Sequence, residues 1–580
     1  MPLALFFLSP FGHTQAAKLG GKVHSSRALV DISAFGARPD DPGVNSRLPV
    51  QQGLEKLRSA GGGTLSIPAG DYYLYFPDIA SDLDPRDPAK KALLQQNNPQ
   101  KGKLILVPPG VIVQGTLDEA GHPITRIHWN ATSIPLLSFV NADGAGAVDL
   151  TFVFDGVQPQ FFPWTQEDFL EAVGYQSRWL GGPYELSTVI YTIGSSNLRF
   201  ENLSFQSSKT PADNEHTFAF GIVSKGKSPV PQPDAKSLQK LSFGVRVPGG
   251  GLSECVSNNV FSFLRFQDYV MGILASGQCG AVFDHIAGSF RGSWYRSFDP
   301  SHETGPQIKN IGPPGHLIYL TFQNAYDVER SRDAPNGHME FRSTARNKDV
   351  KLRDIREGPE TLSNVNSLGT LALKNMKGGQ IVGVVSRHPA GLIQSMVDVH
   401  DVQLENLNWS SDRDICERTP YAPACGVPVI TLEPTPANSG TQFNSGVQFK
   451  NITLRGLRRS VMFKISEESG NAPLSRNITV DGLTIEVDPA FVQKAAASQG
   501  VITVRALATR FTNVRLLGLT PADATDRQHY PAVIQSRSQN TTLEITIPAE
   551  WGRRSSAVAS ECVVEDQVSN KCHVARKSAN

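Results

Sequence analysis

The stretch His338-Met339-Glu340-Phe341-Arg342 alternates titratable and apolar side chains. Alternate residues of a β-strand share a face, so Met339 and Phe341 are expected inside and His338, Glu340 and Arg342 outside. Such a face could remove a proton beside a carboxylate and stabilise the resulting anion. His338 would be the base, with its tautomer held by Glu340, and Arg342 would neutralise the carboxylate. The chemistry predicted here is β-elimination.

Neighbouring strands extend this predicted face. Gly315, Gly337, Gly369 and Gly391 each begin a strand, at spacings of 22, 32 and 22 residues. A repeat of this length is typical of a solenoid in which each repeat makes one coil. Stacking these strands predicts two inward columns, made of Leu317, Met339, Leu371 and Ile393 and of Tyr319, Phe341, Leu373 and Ser395.

The same stacking places two more titratable residues outside, one coil away on either side of His338. Lys374 would neutralise charge together with Arg342, and His316 or Tyr295 would protonate the leaving oxygen. Hydrolysis is the second hypothesis and needs two carboxyl groups about 5–5.5 Å or about 6.5–9.5 Å apart. Glu340 would be one of them, and a loop residue, Asp299 or Glu303, would be the other.

Aromatic and polar residues on loops are the candidates for substrate binding, because loops over a rigid scaffold typically carry function. The predicted substrate-binding residues are Trp164, Trp179, Trp294, Arg296 and His302. The expected partner is a polysaccharide or an oligosaccharide. A third hypothesis is a non-catalytic glycan-binding solenoid similar to a tailspike. No cofactor and no metal site are expected, although calcium is left open, as is an oligomer.

The elements that must position these residues are short apolar strands separated by polar or glycine-containing turns. An Asn followed by an aliphatic, a polar and an apolar residue recurs at Asn197, Asn202, Asn406, Asn451, Asn477 and Asn513. Asn tolerates the left-handed backbone that a sharp bend between strands requires. Long amphipathic helices are absent after residue 186, so the sequence predicts an all-β parallel β-helix.

The N-terminal segment carries a family resemblance. Phe35-Gly36-Ala37 and a helix-like stretch over 50–60 precede Gly61-Gly62-Gly63-Thr64 and Pro68-Ala69-Gly70-Asp71-Tyr72. This resembles the opening of the pectate-lyase-like superfamily. The resemblance implies a right-handed parallel β-helix whose exposed end is covered by a strand and a helix. It implies no single activity, because such folds host several.

The chain has 580 residues and a formal net charge of +1, so no global field recruits nucleic acid or an anionic membrane. Its six cysteines form three local pairs, and bridges Cys255–Cys279, Cys416–Cys425 and Cys562–Cys572 are predicted. Together with a signal peptide predicted over residues 1–17, they indicate a secreted or periplasmic protein. The predicted organisation is a cap and first rung over 30–75, a β-helix over 76–545 and an irregular tail over 546–580. Insertions are predicted near 76–101, 158–187, 294–314 and 411–426.

Overall fold

The computed structural model describes residues 28–75, 105–130, 135–156, 188–208, 218–227, 254–267, 269–289, 316–321, 328–330, 339–341, 346–358, 369–387, 391–411, 428–433, 443–456, 461–466, 473–487, 500–517, 531–548 and 562–577. The predicted signal peptide and most residues of the four predicted insertions lie outside this set.

The described residues form a short 3₁₀ helix at Ile32–Phe35, helix α1 at Arg47–Ser59 and 32 strands. The N-terminal strands are β1 Leu29–Asp31, β2 Gly63–Ser66, β3 Gly70–Tyr73, β4 Val111–Gln114, β5 Thr125–Trp129, β6 Leu137–Val140, β7 Gly146–Phe154, β8 Thr188–Ile193, β9 Arg199–Ser207 and β10 Phe218–Lys225. The middle strands are β11 Val256–Ser257, β12 Val260–Gln267, β13 Tyr269–Ser276, β14 Gln278–Cys279, β15 Val282–Ser289, β16 Ile318–Thr321, β17 Val328–Arg330, β18 Met339–Phe341, β19 Asn347–Glu357, β20 Leu371–Ser386, β21 Ile393–His400 and β22 Gln403–Ser411. The C-terminal strands are β23 Ile430–Leu432, β24 Gln448–Gly456, β25 Phe463–Ile465, β26 Thr479–Val487, β27 Ile502–Val504, β28 Arg510–Leu517, β29 Ala532–Ile534, β30 Thr542–Pro548, β31 Val563–Val564 and β32 Lys571–Lys577.

Thirty of these strands pair in one continuous sheet, strand on strand in parallel register. The pairing of strands from one coil to the next groups them into three faces of the solenoid. The first face contains β6, β8, β10, β13, β16, the start of β20, β21, β23, β25, β27, β29 and β31. The second face contains β1, β2, β4 and the first halves of the longer strands, and the third contains β3, β5 and their second halves. The predicted parallel β-helix is confirmed.

Left-handed residues form the bends between faces. All six recurring asparagines have a positive φ, between 52° at Asn202 and 57° at Asn406. Four of them lie midway along a long strand, where the second face turns into the third. Their side chains also join coils, since the amide of Asn451 donates to the side-chain oxygen of Asn406 at 3.3 Å. The bend chemistry read from the sequence is therefore confirmed.

The N-terminal cap also follows the prediction. Helix α1 buries Val50, Leu54 and Leu57, which recur at the spacing of one helical face. Strand β1 pairs in parallel with β2, which is the first rung. Gly63 has φ 139°, and a Cβ atom there would lie 2.2 Å from the carbonyl oxygen of Ala28. Only glycine therefore allows the chain to enter the first rung this close to β1.

Three sequence predictions about the coils are wrong. Strand β18 is not a rung of the solenoid, because it pairs antiparallel with β17 in a separate two-stranded sheet. Strand β16 pairs directly with β20, and Ile318 rather than Leu317 lies opposite Leu371. Within the predicted irregular tail, the described residues include two more solenoid strands, of which β32 pairs with β30 as far as Lys577.

Two of the predicted disulfides are present. The Cα atoms of Cys255 and Cys279 are 5.6 Å apart, and those of Cys562 and Cys572 are 6.2 Å apart. Both distances suit a bridge. Cys416 and Cys425 lie outside the described residues. Within the described ranges, no helix has the length and apolar character needed to cross a membrane.

Candidate functional site

Among the described residues, the predicted catalytic residues Glu340, His316 and Lys374 do not share one face of the solenoid. Glu340 lies in the β17–β18 hairpin, where its backbone pairs with Glu329. Ten further predicted site residues lie outside the described ranges: His338, Arg342, Tyr295, Asp299, Glu303, Trp164, Trp179, Trp294, Arg296 and His302. Their roles stay predictions. Only His316 and Lys374 can be placed with their side chains.

His316 is buried in the interior, not exposed as predicted. Ile318, one residue later than the predicted Leu317, lies opposite Leu371, and Tyr319, predicted inward, is only half-buried. The ring of Tyr319 meets that of His316 edge-on, with 5.4 Å between ring centres. The Nδ1 atom of His316 is 2.7 Å from the carbonyl oxygen of Gly369. Lys374 does lie on the outer side, with its Nζ atom 5.2 Å from the centre of the Tyr319 ring.

Acid is expected to destabilise the protein through His316. Burial lowers the pKa of His316 to about 4, the Gly369 carbonyl opposes this, and the charge of Lys374 adds to it. Between pH 6.5 and about 4 the unfolded chain then binds more protons than the folded one, so stability falls as the pH is lowered, by up to about 3 kcal/mol. His316→Gln should remove this component from urea unfolding curves measured across that range. An unchanged pH dependence in His316→Gln would contradict the assignment.

The best-developed polar cluster lies at the turn from the first face to the second. One residue per coil pairs in register there, forming the turn column: Ser257, Cys279, Lys348, Lys377, His400, Ser445, Arg476, Leu507 and Gln539. Successive coils are about 4.8 Å apart. The turn column and its neighbours Arg346, Asp398, Asp401 and Phe443 line the surface that we name the turn groove.

A chain of hydrogen bonds occupies the middle of the turn groove. The Nε2 atom of His400 is 2.8 Å from Oδ1 of Asp398, and its Nδ1 atom is 2.7 Å from Oγ of Ser445. Arg346 holds the other oxygen of the Asp398 carboxylate at 3.1 Å. Asp398 is buried, and a buried carboxylate needs such partners. An ionised Asp398 makes His400 Nε2 the donor, so Nδ1 carries the lone pair and accepts from Ser445.

Positively charged side chains lie at both ends of this chain of hydrogen bonds. A depression of about 490 Å³ is lined by Arg346, Lys348, Lys377, His400 and Asp401. Lys348 and Lys377 are exposed, and among the described residues neither has an ion-pair partner. The turn groove is thus locally basic although the whole chain is nearly neutral.

The C-terminal end of the turn groove combines charge with an aromatic ring. Phe443 meets the His400 ring edge-on, with 5.4 Å between ring centres. The guanidinium of Arg476 lies 4.4 Å from the centre of the Phe443 ring, an attractive cation–π geometry. A second depression of about 470 Å³ opens beside Phe443 and Arg476. A flat ring next to cations suits a ligand with both apolar and anionic parts.

Buried amides fix the backbone beneath the turn groove. Asn347 donates to the carbonyl oxygens of Thr321 and Lys374 at 3.1 and 3.2 Å. Asn444 accepts from the Val399 amide at 3.0 Å and donates to the Met396 carbonyl at 2.9 Å. Asn347 directly precedes Lys348, Asn444 directly precedes Ser445, and the Val399 amide that Asn444 binds directly precedes His400. The coils that carry the polar cluster are therefore rigidly spaced.

The sequence does contain a signal for this site. Val397-Asp398-Val399-His400 alternates apolar and titratable residues at the end of a predicted strand. The same pattern made His338 and Glu340 candidates. Ser445 and Arg346 come from other coils, and only the register of the coils shows that they are neighbours.

A second polar cluster lies on the third face near the N-terminus. Asp155 accepts hydrogen bonds from Tyr75 and His128 at 2.7 and 2.8 Å. Burial would raise the pKa of Asp155, but hydrogen bonds from His128, Ser208 and Tyr75 outweigh it and lower the pKa. Burial and the bond to Asp155 raise the pKa of Tyr75. The network thus keeps Asp155 ionised and Tyr75 protonated, which is typical of a structural role rather than of proton transfer.

Within the described ranges, no group of three or more His, Cys, Asp or Glu side chains is arranged to hold a metal ion. The absence of a cofactor stays an expectation from the sequence.

Comparison with known proteins finds similarity only among solved structures. No protein-family model and no curated protein matches the sequence. The A-module of a mannuronan C-5 epimerase from Azotobacter vinelandii is 12% identical with a TM-score of 0.42, over 89% of this chain and 99% of that chain. The catalytic domain of a GH87 α-1,3-glucanase in complex with nigerose is 11% identical with a TM-score of 0.40, over 90% and 70%. A tailspike protein mutant of E. coli bacteriophage HK620 in complex with a pentasaccharide is 14% identical with a TM-score of 0.42, over 92% and 78%. The fold assignment itself rests on the strand pairing described above.

Proposed function

We propose that this protein binds an acidic, uronate-containing polysaccharide along the turn groove and cleaves it by β-elimination. The observation that carries the proposal is the row of cations in successive coils around a histidine that Asp398 orients. Arg346, Lys348, Lys377 and Arg476 line a course along the helix axis. A polymer with repeated carboxylates can follow such a course, because each coil offers a new contact at a regular step.

Elimination needs a base beside the carbon that loses its proton and cations at the adjacent carboxylate. Lys348 and Lys377 would neutralise that carboxylate and stabilise the enolate-like anion. Ser445 would take the substrate proton while its own proton passes to Nδ1 of His400. The glycosidic oxygen then leaves, and the proton returns to it by the same path. Asp398 stabilises the imidazolium that forms in between.

Hydrolysis is less well supported by the described part of the turn groove. It requires two carboxyl groups with separate roles, but Asp398 is already engaged by Arg346 and His400. The hydrolase alternative that uses Glu340 with Asp299 or Glu303 depends on residues that the structure does not describe at side-chain level.

A second candidate function follows from the hydrogen-bond chain itself. Asp398, His400 and Ser445 are linked at 2.8 and 2.7 Å, and a base that is held by a carboxylate can activate a serine as a nucleophile. In that case Ser445 would attack an ester on the bound polysaccharide, forming an acyl-enzyme that water hydrolyses. The cations would serve the same purpose of holding the acidic chain.

Export is part of the proposal. Bridges Cys255–Cys279 and Cys562–Cys572 suit an oxidising compartment. A polysaccharide partner outside the cell is consistent with this location.

One assay separates these functions. The protein is incubated with acidic and neutral polysaccharides, and the products are followed by ultraviolet absorbance, reducing ends and released methanol or acetate. Elimination gives an absorbing product together with reducing ends, whereas hydrolysis gives reducing ends alone. Ester hydrolysis releases methanol or acetate without shortening the chain. Binding without any product would support the non-catalytic hypothesis.

The cation row can be tested separately. Replacing Lys348 and Lys377 together by alanine should weaken binding of uronate oligomers at least about tenfold, since charged hydrogen bonds contribute about 1.5–3 kcal/mol each. Titrations at low and high salt should also show a smaller salt effect than in the wild type. Lys571→Ala, which removes an exposed charge on the last coil, is the matched control. Equal weakening by both changes would count against the turn groove.

A further inference from the structure

The bend between the second and third faces contains one unexpected residue. One left-handed residue per coil forms this bend column: Asp149, Asn202, Phe263, His285, Asp354, Gly383, Asn406, Asn451, Gly482 and Asn513. Asn, Asp and Gly tolerate this conformation. His285, with φ 53°, is also of a type enriched in this region, whereas Phe263, with φ 54°, is not. A bulky side chain in this region is a backbone outlier, and such strain often accompanies a functional position.

Phe263 is also exposed to an unusual degree. Half of the residue is accessible to solvent, although a phenyl ring gains free energy by burial. Its ring stacks on that of His285, with 4.7 Å between centres and 22° between planes. The His285 ring therefore supports Phe263 from one side, and the protein holds an apolar ring at the surface.

Charged groups brace this pair of rings. His285 contacts Asp284 through Nδ1 at 3.0 Å and Asp354 through Nε2 at 3.5 Å. Asp354 in turn accepts from Nε of Arg356 at 2.7 Å. The result is a fixed aromatic surface with hydrogen-bonding groups of both signs beside it.

The next column of residues, on the third face, presents exposed side chains beside Phe263. Arg265 and Arg356 are exposed there, and Ala287 lies opposite both in register. The small side chain of Ala287 therefore lies between two long ones, beside the bend that carries Phe263. Val385, which follows Arg356 in register, is also exposed, at 42%.

We propose that Phe263, His285, Asp284, Asp354 and Arg356 form a second carbohydrate-binding site, which takes a neutral sugar unit. A sugar ring presents an apolar face of C–H groups to the Phe263 ring and hydroxyl groups to the carboxylates and the guanidinium. The two carboxylates disfavour a uronate at this place, in contrast to the basic turn groove. The site shares no residue with the turn groove, so the two can be tested independently.

The conformation at Phe263 makes the test sharp. Phe263→Asn places at this bend the residue type that other coils use, so it should raise the urea midpoint of unfolding while removing the binding surface. We expect it to weaken binding of neutral gluco-, galacto- or manno-oligosaccharides at least tenfold by isothermal titration. Phe263→Tyr keeps the ring and should bind like the wild type. Uronate oligomers, which probe the turn groove, should bind both variants normally.

Two results would overturn this inference. The first is a wild-type protein that binds none of these neutral oligosaccharides, and the second is a Phe263→Asn variant that binds them as tightly as the wild type. If the Lys348 and Lys377 double variant lost uronate binding but kept neutral binding, the result would support the turn groove and the independence of this second site.

Discussion

Replacing His400 by alanine is expected to lower product formation from an acidic polysaccharide about 1,000-fold. His400 is the proton acceptor in the proposed elimination and also in the alternative ester hydrolysis, and general base catalysis contributes typically about 10²–10⁴-fold. Substrate binding should change little, because Arg346, Lys348 and Lys377 remain. The check is a rate measurement at saturating substrate together with a separate binding titration. Asp398 keeps its ion pair with Arg346 in this variant.

Ser445 distinguishes the two reactions that His400 could serve. Ser445→Ala should abolish ester hydrolysis, since the nucleophile is lost. It should leave part of an elimination activity, because Nδ1 of His400 then faces the substrate directly or through water. An elimination rate that is near normal in His400→Ala would remove the turn groove from consideration as an active site. The cations there would then serve binding alone.

Much of the fold could be predicted because its signals are local. Each bend needs a residue that tolerates a left-handed backbone, and all six recurring asparagines adopt that backbone conformation. Gly62 and Gly63 stand where two chain segments approach closely, since a Cβ atom there would lie 3.0 Å from the Gly110 oxygen and 2.2 Å from the Ala28 oxygen. The short apolar strands predicted from the sequence supply the buried core.

The candidate site could not be predicted from the same signals. Leu317 and Ile318 are both apolar and both buried, so hydrophobic alternation does not determine which of them faces inward. The choice of Leu317 put His316 on the wrong side. The stretch around Glu340 alternates like a strand of the solenoid, yet it forms a hairpin strand. Alternation predicts which side chains share a face of a strand, but it does not predict with which other strand that strand pairs.

The turn groove also depends on distant parts of the chain. His400 comes from the end of β21, Ser445 from the approach to β24, and Arg346 from the approach to β19. A solenoid brings such residues together only through the lengths of the intervening coils, which vary with each insertion. A histidine held by a carboxylate among Arg and Lys side chains, the arrangement predicted around His338, occurs at His400.

The core of the N-terminal coils leads to the second prediction of large effect. Phe152, Phe205 and Phe266 form a stack across three coils, with ring centres 5.4 and 4.6 Å apart. Phe205 is the middle ring and is fully buried. Phe205→Ala should lower the free energy of unfolding by about 4 kcal/mol, since a buried Phe-to-Ala change costs about 3–5 kcal/mol and both aromatic contacts are lost.

The loss should be local, because each coil of a solenoid contacts only its neighbours. Hydrogen exchange should accelerate most in β7, β9 and β12, which carry the three rings, and least in β28 and β30 at the far end. Phe205→Leu retains much of the buried volume and should lose clearly less stability in urea unfolding. Gln206→Ala changes the adjacent outward side chain and should stay within about 0.5 kcal/mol of the wild type. Uniform acceleration of exchange along the whole chain would mean instead that the solenoid unfolds as one cooperative unit.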